Sequence, residues 1–320
     1  MSFEQVFKKS SALFAAMLLM ISAWSMLHLP GASLQMVTFA ILSATALCNI
    51  SSFDLRLRRT AFMVCGAAGV QFLMGVTADY PTLRIILSGL ASFFILYTAP
   101  NRQTAIIILL AGYLTLFSVS GFSVSLNRCF DIAFSGAVVL AVTALGNLFA
   151  ADIQKKAVDQ NRYTLRHSAI ITSELTVGFI ISQMFRHEQS AWIMLTVLFI
   201  HLAKTQKNSL PELSGQRVAA APAGILLAGI FLASFCNIDY RFIYVIPFTG
   251  TLSFFMLYLK GDYFTFTLLF MFTITVFTDW MLGTGHRFHF NEIMFSRCIA
   301  TSAGAMLLFC GSHFMKEELS

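Results

Sequence analysis

Four arginines and one deeply placed glutamate are the side chains of this sequence best suited to chemistry: fixed cations for an anion, and a carboxyl group for a proton. Arg59, Arg128, Arg217 and Arg297 each stand at the threshold of a long apolar segment. A glycine follows each of them two helical turns in, at Gly66, Gly136, Gly224 and Gly304. The spacing is seven residues in three cases and eight from Arg128 to Gly136. At a helix N-terminus the peptide dipole already supplies about half a positive charge, so an arginine there calls for an anion. Acids in the chain offer one, since Asp54, Glu212 and Glu292 lie five residues before their arginines and Asp131 three after Arg128. A ligand is the other reading, because arginine beside unpaired helix N–H groups binds carboxylates and other anions.

Glu174 lies about six residues, or ~9 Å, inside its apolar segment at 1.5 Å per residue. A carboxyl group at that depth is costly to ionise, which suits a proton carrier. Asp279, beside Trp280, and His201, one turn from Lys204, are further candidates for proton coupling. Their ordinary alternatives are an interfacial acid in an aromatic belt and a hydrogen-bonded interfacial histidine. Other chemistry finds little support. His286 and His289 miss the HExxH spacing, and the cysteines have no metal-ligand or paired pattern. No nucleophile stands beside a base. We therefore expect no metal, no cofactor and no enzymatic activity.

The elements that must position these groups are membrane helices. The chain is 57% hydrophobic and 11% charged, against about 25% charged in soluble domains, so it must use lipid as solvent. Apolar stretches recur near 10–29, 33–50, 60–78, 85–99, 104–125, 130–150, 168–185, 190–204, 217–236, 242–259, 263–283 and 293–315. Each approaches the ~20 residues needed to cross ~30 Å of hydrocarbon, and strand-like alternation is absent. This predicts an all-α, polytopic protein of about twelve transmembrane helices. A polar stretch at 151–167 divides it into a first half at 1–150 and a second at 168–320. Shifting one half by 158 residues places Arg59 on Arg217 and Gly66 on Gly224. The halves thus read as a pseudo-repeat, and the four arginine elements as four three-helix units of alternating topology.

Lysine and arginine concentrate in alternate loops, among them Lys8, Lys9, Arg56, Arg58, Arg102, Lys155, Lys156, Lys204 and Lys207. By the positive-inside rule those loops, the linker and both termini are cytoplasmic. Arg59 and Arg217 then start helices at the inner face, where arginine anchors are ordinary, and Arg128 and Arg297 start theirs at the outer face, where they are not. Small residues let helices approach closely in lipid, so Gly66, Gly69, Gly136, Gly224 and Gly304 are expected to pack helices together. The basic balance follows from topology and implies no nucleic-acid partner. No nucleotide-binding loop is present, which leaves an ion gradient, a substrate gradient or another subunit to drive any transport.

The stretch Trp192 to Gly229, an apolar helix opening with tryptophan, a polar hairpin, then Arg217 and Gly224, resembles the fusaric acid resistance and aromatic acid exporter superfamily. Arg297 to Gly304, after Thr273, Thr275 and Thr278, resembles the close of the same module. The resemblance implies a bacterial inner-membrane exporter of aromatic or other small organic acids, working with a periplasmic membrane-fusion adaptor. Departures accompany it. Only the linker stands where many members carry a large cytoplasmic domain, and Leu34 takes the place of the tryptophan in the first half. The second-half motif reads Arg-Val-Ala-Ala-Ala-Pro-Ala-Gly, with Pro222 inside the helix.

The sequence therefore predicts an ion-gradient-coupled efflux transporter for small organic anions. In this reading Arg128 and Arg297, then Arg217 and Arg59, bind the anion, and Glu174, Asp279 or His201 carries the proton. A passive anion channel and a non-transporting membrane subunit are the alternatives, and a homo-oligomer is compatible with either.

Overall fold

The computed structural model describes residues 52–113, 122–148, 162–185, 191–204, 208–234, 245–260, 262–282 and 290–315, with Ser43, Leu47 and Ile50. The first two expected spans and most of the linker lie outside the described residues. Ten helices are present among those described. They are α1 (Phe53–Val76), α2 (Pro81–Thr98), α3 (Arg102–Tyr113), α4 (Phe122–Leu148), α5 (Leu165–Phe185), α6 (Trp192–Ala203), α7 (Leu210–Ser234), α8 (Val245–Lys260), α9 (Tyr263–Leu282) and α10 (Phe290–Met315). There is no strand among the described residues, as expected where lipid cannot satisfy open backbone.

Among the described residues, four helices are long and apolar enough to cross a membrane: α1, α2, α7 and the Phe295–Ser312 part of α10. Their outward faces carry large apolar side chains, including Phe72, Phe94, Tyr97, Ile230, Phe295 and Met306. Exposed apolar surface on this scale is covered by lipid in a membrane protein. The protein is thus an all-helical membrane protein.

Two helices have no lipid face. In α3 every residue from Thr104 to Tyr113 is buried, and in α6 every residue is buried except the partly covered Leu202. Both are apolar all round, which is the pattern of a helix enclosed by others. They pack on each other at the centre. Helix α1 closes over α3, while α5 and α10 close over α6. With 12 residues, α6 is about 18 Å long, well short of ~30 Å of hydrocarbon.

Glycines set the closest approaches. On α7, a β-carbon at Gly224 would strike the Leu268 carbonyl oxygen of α9, and one at Gly304 of α10 would strike the Ile193 carbonyl oxygen of α6. A β-carbon at Gly66 of α1 would stand 3.0 Å from the Ile108 side chain of α3. Gly136 is buried on α4, which packs against α1. Gly69 differs, being exposed among the described residues, and a β-carbon there would meet nothing within 4 Å. Three residues past Gly66, it has turned about 300° and points off the α3 contact.

The polar ends of α1 and α7 are helical well before the apolar stretches begin. Arg56 uses this. Its Nε donates to the Ile50 carbonyl at 2.6 Å, and Nη1 donates to the Thr143 carbonyl of α4. It is a buried clamp joining α1, the chain before it and α4, rather than the interfacial anchor that its position in the sequence suggested. Helix α7 runs unbroken through Pro222, whose ring leaves the Val218 carbonyl without its usual donor.

Candidate functional site

The core helix α6 carries three chemically distinct contacts along its length. At its first residue, the Trp192 ring lies under the Arg297 guanidinium, with Cζ 5.3 Å from the ring centroid. Two turns on, Phe199 lies under Arg217 at 5.1 Å. In its last turn, His201 Nε2 lies 2.9 Å from Glu174 Oε2 of α5. The seven steps from Trp192 to Phe199 span about 10 Å, so two arginines and the Glu174 carboxyl all meet one short, buried helix.

Arg297 is only 2% exposed although it was expected at the outer threshold. Its Nη1 donates to Thr275 Oγ1 of α9 at 3.2 Å. The threonine-rich helix thus supplies an oxygen to the arginine, and the indole face supplies a cation–π contact that strengthens on desolvation.

Arg217 is fully buried, so snorkelling to the interface does not describe it. Its neighbours are soft: the Phe199 ring, and Met271 Sδ at 3.9 Å from Nη2. The Tyr263 hydroxyl is close enough to act on it electrostatically. Nε and Nη1 have no hydrogen-bond partner among the described residues. Glu212, expected to compensate it, is exposed. The reason is helical geometry, since a residue five positions earlier sits about 140° round the helix axis. Asp54 is exposed in the same way, whereas Arg59, five residues later, is buried with Nε unpaired among the described residues. Beyond Arg217, Phe199, Phe270, Phe266 and Tyr263 form a run of rings with successive centroids 4.7, 5.5 and 5.7 Å apart.

Glu174 and His201 were separate candidates in the sequence, and the fold brings them together. Both are buried, at 6% exposure each. Glu174 Oε1 has no partner among the described residues. The pair is backed by groups outside the spans. Arg102, at the head of α3, lies over the Tyr163 ring with Cζ 5.2 Å from the centroid. Burial raises the Tyr163 hydroxyl above its ordinary range, with Arg102 opposing and Glu174 adding to the shift. Burial, then Arg102, hold the Lys204 ammonium below its ordinary range, and Glu174 opposes them. A pairing of Glu174 with Lys204 can be weighed from the sequence, but Arg102 and Tyr163 join them only in the fold, between helix ends that are distant in the chain.

Arg128 lies on α4 and Asp279 on α9, and both side chains fall outside the described residues. Among the described residues no cluster of histidine, cysteine and carboxylate is placed to hold a metal. Of the residues the sequence reading passed over, Gly311 touches Glu174. A signal for it exists, since it follows Gly304 by seven residues and so lies on the same helix face.

Fold and site together define a polytopic helical membrane protein whose centre holds buried cations and a titratable pair. Residues 176–311 match the family described as fusaric acid resistance protein-like, so the resemblance read from the sequence is borne out over α5 to α10. That region holds Arg217, Arg297 and His201, and it begins two residues after Glu174. Comparison with curated proteins and with solved structures finds no match.

Proposed function

We propose that the protein exports small organic anions, aromatic carboxylic acids first among them, across the bacterial inner membrane, driven by a proton gradient. The observation that carries this reading is Arg217: a fully buried guanidinium with two unpaired nitrogens, set against aromatic rings and without a carboxylate partner among the described residues. Leaving a cation unpaired in a dry interior is expensive. A carboxylate ligand removes that expense through charge-assisted hydrogen bonds, and the rings Phe199, Phe270 and Phe266 suit an aromatic body.

In this reading the anion passes between Arg217, near the cytoplasmic end of α6, and Arg297, near the outer end. Glu174 and His201 take up and release the proton, because their shared hydrogen bond ties the charge of one to the charge of the other. Arg59 and Arg128 would hold the corresponding places in the first half. Packing supports such a duplication: α1 meets α3 and α4 as α7 meets α9 and α10. Cytoplasmic termini, a periplasmic adaptor and assembly of several copies belong to the same proposal.

The test is efflux from proteoliposomes loaded with a panel of aromatic and aliphatic acids under an imposed pH gradient. Gradient-dependent efflux that is lost in Arg217→Met and in Glu174→Gln is the expected result. Efflux indifferent to both substitutions would sink the residue assignments. Unitary currents in planar bilayers without a proton gradient would replace transport by a channel.

A further inference from the structure

Gly311 lies on α10 directly against the Glu174 carboxyl group. A β-carbon at this position would collide with Glu174 Oε1 and stand 3.0 Å from the carboxyl carbon and 3.3 Å from Cγ. The three nearest atoms all belong to that one flexible side chain. The other tight glycines differ in kind. At Gly304 the obstacle is the Ile193 backbone oxygen, and at Gly224 it is the Leu268 backbone oxygen. Backbone in a packed helix cannot swing aside, whereas a glutamate can change rotamer. A methyl group at 311 would therefore be accommodated by displacing the carboxyl group.

We propose that Gly311 is a positioning residue for proton uptake: its missing side chain leaves the space that keeps the Glu174 carboxyl beside His201, with Oε1 unpaired and able to accept a proton. The inference rests on the transport reading, in which Glu174 is the proton-coupling group. The setting of the carboxyl comes from several elements. Helix α6 brings His201 and, just past its end, Lys204. Tyr163, ahead of α5, and Lys204 both feel the Glu174 charge, and Arg102 at the head of α3 acts on both. On α5 itself the nearest ionisable side chains are His167, bonded to Thr164, and Arg166. Helix α2 meets α5 where Gly89 faces Thr176, and its ionisable residues are Arg84 and Tyr97. On α10 the neighbouring Cys310 is exposed, and the His313 side chain is outside the described residues. Helix α10 also carries Arg297, fourteen residues or about 21 Å earlier. One rigid element therefore touches both the proton site and the outer guanidinium.

Infrared titration of the full-length protein in detergent tests this, with the Glu174 carboxyl band assigned by its loss in Glu174→Gln. In Gly311→Ala the midpoint is expected to move away from that of the unmodified protein, because a carboxyl pushed off His201 loses that hydrogen bond. In a Glu174→Asp background, where the carboxyl stops one methylene short of α10, the same methyl is expected to leave the midpoint in place. An unchanged midpoint in Gly311→Ala, or an equal shift in the aspartate background, overturns the proposal. If Gly311→Ala fails to fold but folds together with Glu174→Asp, the steric relation stands. If both fail, the glycine serves packing against something else and the proposal falls. The titration needs no substrate, so a shifted midpoint without proton-linked efflux counts against the transport reading alone.

Discussion

Arg297 of α10 lies over the ring of Trp192 of α6, with the guanidinium carbon 5.3 Å from the ring centroid. The contact fixes a permanent cation where α6 begins, and Thr275 holds one of its nitrogens from the third side. Lysine reproduces the charge but neither the flat stacking surface nor the fork of donors. Arg297→Lys is therefore expected to cut the initial rate of anion efflux by about tenfold or more, corresponding to roughly 1.4 kcal/mol. Trp192→Phe, which keeps an aromatic face, should retain more activity than Trp192→Leu. Equal rates for arginine and lysine at 297 would remove the stacking from the account.

Arg217 separates a structural role from a ligand-binding one. Replacing an unpaired buried cation by an apolar side chain of similar length is often neutral or stabilising for the fold. Arg217→Met should thus keep or raise the thermal midpoint in detergent while abolishing efflux. A fall of several degrees together with loss of efflux would instead mark Arg217 as part of the scaffold.

The glycines sort by what stands in front of them. Gly304→Ala and Gly224→Ala press a methyl group onto backbone oxygens, and overpacking of this kind costs about 1–3 kcal/mol. Both variants should lose much of their folded yield on size-exclusion chromatography. Gly69→Ala adds its methyl group to open space on a helix and should stabilise by about 0.5–1 kcal/mol. Destabilisation by Gly69→Ala would mean that a further helix covers that face.

Lys204 carries a pH signature of its own. Burial, then Arg102, depress its ammonium, and Glu174 works against them. A depressed lysine binds its proton less well in the folded state, so the unfolded state holds more protons between the two values. Stability should therefore rise with pH through that window, which ends near the unfolded value of about 10.4. Glu174→Gln removes the opposing charge and should lower the Lys204 midpoint further, as read by NMR of carbon-13 methylated lysines. A midpoint that rises in Glu174→Gln would contradict this electrostatic arrangement.

The helices were legible because hydropathy and span length act locally. Their ends were less so. The apolar window begins at residue 60 for α1 and 217 for α7, yet the helices begin at Phe53 and Leu210, because Arg56, Arg59 and Arg217 are buried inside the bundle and polar residues there need no interface. The same fact changes the arginine pattern. Gly224 and Gly304 mark true close contacts, whereas the acids five residues before Arg59 and Arg217 point elsewhere. The pairing of Glu174 with His201, of Arg217 with Phe199 and of Arg297 with Trp192 was not legible, since each joins separate helices and no local spacing records it. What the sequence did supply was each polar member of those pairs.

The enclosure of α6 has a consequence for biosynthesis. A segment this short gains little from lipid, and the helix that seats its Trp192 and receives its Ile193 carbonyl is α10, translated more than eighty residues later. During synthesis α6 must wait beside α3 and α5, partly uncovered, until α10 emerges. A nascent chain stalled before α10 would present an unfinished centre to the membrane's quality-control proteases.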